Sequence, residues 1–108
     1  MPANLKPIFP DTPRVESGVG GGSPVSFAGG ADGSRVDTIV VFNNNNVANP
    51  QPVLIKYGTT ILRRIAAGGL AAYAYTEEII DKAIPSGGSV SVECTDANTN
   101  MAIFGGDY

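Results

Sequence analysis

Fourteen glycines and eight prolines, joined by a run of four asparagines at Asn43 to Asn46, punctuate this chain. The punctuation leaves few runs long enough to make a helix that is stable on its own. What lies between the breaks is short and rich in β-branched and aromatic residues, the pattern of strands joined by turns. Val36 to Asn43 is the clearest case. Its succession Ile39, Val40, Val41 and Phe42 suits a strand buried on both faces or lying at a subunit contact, and Val40 reads as interior.

Asn43 to Asn46 ends that strand, and Asn49, Pro50, Gln51 and Pro52 continue the loop. Val53 to Tyr57 and Ile61 to Ile65 read as a hairpin closed by Gly58 and Thr59. Gly68 and Gly69 separate it from a further run, Leu70 to Tyr75. After Ser86, Gly87 and Gly88, Val90, Val92 and Cys94 alternate inward against Ser91, Glu93 and Thr95. Met101 to Phe104 supplies the last strand. Thr76 to Ile84 reads differently: Thr76 as N-cap, Glu77 and Glu78 in a first turn and Pro85 as a stop predict one or two helical turns, with an irregular strand as the alternative. The expected fold is therefore all-β, an antiparallel sandwich or jelly roll over residues 34–108 with one short helix.

Residues 1–33 form a separate segment in this reading. Pro2, Pro7, Pro10, Pro13 and Pro24 forbid a continuous helix, and seven glycines between Gly18 and Gly33 oppose stable packing. Yet Leu5, Ile8, Phe9, Val15, Val19, Val25 and Phe27 are spaced along it. Apolar anchors on a backbone without a core of its own predict an extended N-terminal arm that orders on a neighbouring molecule. Leu5, Ile8, Phe9 and Val15 are the pocket-filling anchors and Arg14 is the charge partner for an acidic site on that neighbour. The alternative is a tail in which only Val25 to Phe27 joins the sheet.

Composition narrows the function. The chain has 108 residues, seven Lys and Arg, a net charge of −3 and no His. It is one domain, and so small a core favours association with further copies. No basic patch is available for nucleic acid, and no apolar run approaches the roughly 20 residues of a membrane helix. Nor does the start of the chain resemble a secretory leader. Cys94 is the single cysteine; it reads as a small buried hydrophobe in a protein made in a reducing cytoplasm.

Without His, the usual Ser-His and Cys-His nucleophile pairs cannot form. The carboxylates at Asp37, Glu77, Glu78, Asp81, Glu93 and Asp96 read mostly as outward positions of strands, so a non-catalytic protein is expected. No spacing suggests a metal site, and Gly18 to Gly22 lacks the lysine of a phosphate loop, so no cofactor is expected. Arg35 beside Asp37 reads as a cross-strand surface pair.

Four segments then recur in a recognisable order: Thr12-Pro13-Arg14-Val15, Ala31 to Val41, Ile84-Pro85-Ser86-Gly87 leading into Ser89 to Glu93, and Phe104-Gly105-Gly106-Asp107-Tyr108. Together they resemble a family of small proteins of tailed phages and prophages that includes capsid cement, or decoration, proteins. The resemblance implies a β-sandwich protein, often a homotrimer, seated on the virion surface and bound to the major capsid protein. On this reading Tyr73, Tyr75 and Tyr108 are subunit contacts. Two other readings draw on the same features, a carbohydrate- or receptor-binding module of a tail or fibre, using exposed tyrosines, and a head-to-tail adaptor or minor tail protein.

Overall fold

The computed structural model describes residues 9–108. Within them the chain is all-β, with eight strands and no helix. These are β1 (Thr12–Val19), β2 (Val25–Ala28), β3 (Ser34–Asn43), β4 (Val53–Tyr57), β5 (Thr60–Ile65), β6 (Tyr75–Ile84), β7 (Ser89–Glu93) and β8 (Thr99–Asp107). They form two four-stranded antiparallel sheets, ordered β1-β8-β3-β6 and β2-β7-β4-β5. The pairing is nested: first strand with last, second with seventh, third with sixth, fourth with fifth.

One apolar cluster joins the sheets. Val36, Ile39, Val41, Ile84, Met101 and Ile103 come from the first sheet, and Phe27, Val53, Ile55, Val90 and Val92 from the second. In β3 and β8 the cluster residues Ile39 and Val41, and Met101 and Ile103, alternate with less buried neighbours, as the two-residue side-chain period of a strand requires. The hairpin of β4 and β5 forms where expected, turning at Gly58, whose φ of +58° suits the tight connection.

Several expectations are corrected. Residues ahead of 33, expected as an arm, supply strands to both sheets: Thr12–Val19 runs along β8 and Val25–Ala28 pairs with β7. The arm's described part is thus made of strands of the protein's own sheets; Pro13 is accommodated because β1 is an edge strand. Phe27 is fully buried in the protein's own core. The anchors Leu5 and Ile8 lie outside the described residues.

The helix expected over Thr76 to Ile84 is β6 instead. Its residues alternate exposed and less exposed along the whole strand, ending at buried Ile84. Eight of its ten residues pair with β3, satisfying more backbone groups than an isolated turn or two of helix. Asp81, with φ of +50°, sits in a bulge of β6. Asp37 is the extra residue of β3 at the same level, between Val36 and Thr38. Arg35 ties the two irregularities together, bonding Asp81 and lying 3.6 Å from Asp37. The Arg35–Asp37 contact is therefore within one strand, and the cross-strand partner is Asp81.

Leu70 to Ala74 is loop, so the strand expected from residue 70 begins only at Tyr75. The reason is Asn49, whose buried side chain accepts from the Leu70 amide at 2.7 Å and donates to the carbonyls of Gln51 and Ala66. Last, Val40 points away from the core, with Ile39 and Val41 buried on either side of it.

Candidate interaction surface

The residues of β3 and β8 that do not enter the core define the outer face of the first sheet. Directly paired residues project from the same face, so the register lays them out in three rows. Val15, Phe104, Thr38 and Ile79 form one, crossing β1, β8, β3 and β6. Ser17, Ala102, Val40 and Glu77 form the next, and Val19, Asn100, Phe42 and Tyr75 the third. Glu77 is the sole charged residue among these positions. Val15, Val19, Tyr75, Ile79 and Phe104 are 51, 56, 64, 65 and 40 % exposed, which makes the apolar character of this face a property of its surface.

The second sheet is different. Its outer face mixes Ser26, Lys56, Arg64, Ser91 and Glu93 with Leu54 and Ile61, and Lys56 and Glu93 form an ion pair. Its edge strand β5 exposes Arg63 and Arg64, charges that discourage a further strand from adding there.

At one end of the molecule Arg14 closes the gap between the sheets. Its guanidinium lies 3.8 Å from the Phe27 ring centroid, 3.0 Å from Asp107 and 3.3 Å from Glu16, and it donates to the Ala28 carbonyl. Asp107 also accepts from the buried Ser34 hydroxyl at 2.5 Å, and that hydroxyl accepts from the Gly30 amide at 2.8 Å. Nearby, Ser34 pairs with Ile84 in register, the Gly29 amide donates to Gly88 O and the Tyr108 amide donates to Gly33 O. Parts of β1, β3 and β8 thus meet here with Ile84 and Gly88.

The opposite end is held by amides. Buried Asn43 donates to the carbonyls of Val47 and Ala71 and accepts from the main chain and side chain of Asn45. Asn45 passes the connection to Asp96 at 2.8 Å, and Asp96 accepts from the Thr99 hydroxyl at 2.8 Å. The four-Asn stretch thus pins three loops together. The Asn45 hydrogen bond, with those of the Thr99 hydroxyl and the Asn98 amide, holds the Asp96 carboxyl below its ordinary value of 3.8 against a raising effect of burial.

A depressed folded-state value stabilises the fold above the unfolded value, and that contribution is lost as pH falls through the folded value. The stability difference between wild type and Asp96→Asn should therefore be largest at pH 5 and above and shrink below about pH 4. Chemical denaturation across that range measures it, and a difference independent of pH would count against the role of the carboxylate.

The sequence-derived site residues scatter. Arg14, expected to meet an acidic site on a neighbour, is paired with Glu16 and Asp107 of its own chain. Val15 belongs to the apolar face, in register with Phe104. Phe9 is 77 % exposed, ahead of Pro10, which lies against Gly106 near the Arg14 end. Tyr75 is on the apolar face; Tyr73, with φ of +55°, is in the loop beside Asn45, to whose carbonyl its amide donates at 3.1 Å. Tyr108 lies at the other end, by Gly33. The three tyrosines do not form one contact. Sequence reasoning missed the apolar face because its rows come from four strands far apart in the chain.

Two open clefts are also present, of about 240 Å³ beside Gln51, Leu54, Glu93 and Cys94, and about 280 Å³ beside Ser34, Ile84, Pro85 and Tyr108. Among the described residues no three His, Cys, Asp or Glu side chains are grouped to hold a metal, and no helix is long and apolar enough to cross a membrane. Comparisons with protein-family models, curated proteins and solved structures find no match to this chain.

Proposed function

We propose that this chain is a non-catalytic structural protein of a bacteriophage particle, a capsid cement or decoration protein that binds the major capsid protein on the virion surface. The nested order of its eight strands supports reading the two sheets as a jelly-roll sandwich, an architecture used by viral capsid and lectin domains. The observation that carries the reading further is the end closed by Arg14. There Arg14, Ser34, Ile84, Asp107 and Tyr108, one or two from each of the segments on which the reading was first based, are joined by hydrogen bonds and an ion pair.

On this reading the capsid contact is made by residues 1–9, with Leu5, Ile8 and Phe9 as apolar anchors. Many weak contacts of this kind, repeated over a capsid, reinforce one another because later contacts become intramolecular. Deleting residues 1–9 leaves β1 complete. The truncated protein should keep its circular dichroism spectrum and melting temperature but no longer co-sediment with capsids. Undiminished co-sedimentation would overturn this assignment.

A second reading is favoured by one observation: Tyr73 and Tyr75, 60 and 64 % exposed, flank the Asn-rich loop. Aromatic planes beside amide groups suit a sugar ligand. Saturable binding on a glycan array, abolished in Tyr73→Ala, would move the protein to the tail or fibre.

A further inference from the structure

We propose that the outer face of the β1-β8-β3-β6 sheet is a self-association surface, covered in the working protein by a second copy of this chain. The proposal does not depend on whether the chain binds a capsid.

The first argument is the pattern within the strands. A sheet with one face in water alternates apolar and polar residues, and β7 does so: Ser89, Ser91 and Glu93 separate Val90 from Val92. The two central strands of the first sheet do not. Ile39-Val40-Val41-Phe42 and Met101-Ala102-Ile103-Phe104 are apolar on both sides, although the protein's own core occupies only one. The second face is composed like an interior and has no layer over it in the single chain.

The second argument is size. Four strands about 4.8 Å apart, crossed by three rows of residues at about 3.4 Å per residue, give a face of roughly 20 by 20 Å. Two copies meeting here cover about 1,000 Å² once side-chain relief is included, the lower end of specific interfaces.

The third is chemistry. The face offers a partner almost no charge to recognise, since Glu77 lies on edge strand β6 and the charged Arg35, Asp37 and Asp81 sit together at the bulges beyond Thr38. A copy of the same face brings equally neutral, sheet-shaped apolar relief. Two such faces stack about 10 Å apart, as the protein's own sheets do. Covering it would also give β1, exposed or only half-buried along its whole length, a second layer.

Sedimentation velocity of the full chain at tens of micromolar should show an oligomer. Ile79→Lys and, on the opposite edge, Val15→Lys should each weaken association at least about tenfold while keeping the β-sheet circular dichroism spectrum. Ile61→Lys, on the other sheet and 53 % exposed, should leave it unchanged. A wild-type chain that is monomeric at these concentrations would overturn the proposal. So would Ile79→Lys and Val15→Lys variants as oligomeric as wild type, or a monomeric wild type whose Ile79→Lys variant loses capsid binding, which would assign the face to the capsid protein.

Discussion

Ile39→Lys is expected to leave the chain unfolded, whereas Val40→Lys, one position further along the same strand, is expected to fold. Ile39 is fully buried against both sheets. A lysine there has no counter-charge within the core and would have to desolvate or force the sheets apart, at a cost of about 4 kcal/mol or more. That is a large part of the stability of so small a domain. Val40 faces outward and stands opposite Glu77 on β6. A lysine at this site finds water on one side and a cross-strand carboxylate on the other. Near-ultraviolet circular dichroism and a cooperative thermal transition distinguish the two variants. A folded Ile39→Lys or an unfolded Val40→Lys would mean that the buried face of β3 has been assigned the wrong way round.

Gly105→Ala is the second substitution with a large expected effect. A methyl group at this position would lie 2.1 Å from the Arg35 carbonyl oxygen and 3.0 Å from the Phe27 ring. The first contact is with backbone, so no rotamer change relieves it. Relief requires β8 to move away from β3, the strand it pairs with through the middle of the sheet. Overpacking costs typically 1–3 kcal/mol even where side chains yield, and more is expected here, about 3 kcal/mol or above. Guanidinium denaturation should show a midpoint lowered accordingly, with insoluble expression as the extreme case. A variant as stable as wild type would show that β3 and β8 do not approach so closely.

These two cases also mark what the sequence could and could not disclose. The strands β3, β4, β5, β7 and β8 were legible because each has its own local signal, a β-branched run or a strict alternation ended by Gly, Pro or Asn. β1 was not. Pro13, Ser17 and Gly18 dilute its signal, and what makes it a strand is β8, more than eighty residues later in the chain. The misreading of β6 has a similar cause. Thr76-Glu77-Glu78 does look like a helix start, and only the free edge of β3 decides for a strand. Arg14 could be recognised as a residue seeking acidic partners, but not that Asp107 and Glu16 of its own chain supply them. The run from Ile39 to Phe42 held the most information, since an apolar strand without alternation was already compatible with a subunit contact. Which of its residues faced outward required the register.

The nested pairing of strands has a consequence for synthesis. β1 leaves the ribosome first among the described strands, yet its hydrogen-bonding partner is the last to appear, and β2 must likewise wait for β7. β4 and β5 can close their hairpin midway through synthesis, but β1 and β2 stay unpaired until nearly everything downstream has been translated. Contacts this remote along the chain fold slowly, so a nascent polypeptide of this kind carries unpaired, apolar strands for most of its elongation and is open to capture by chaperones or by sister chains on the same polysome.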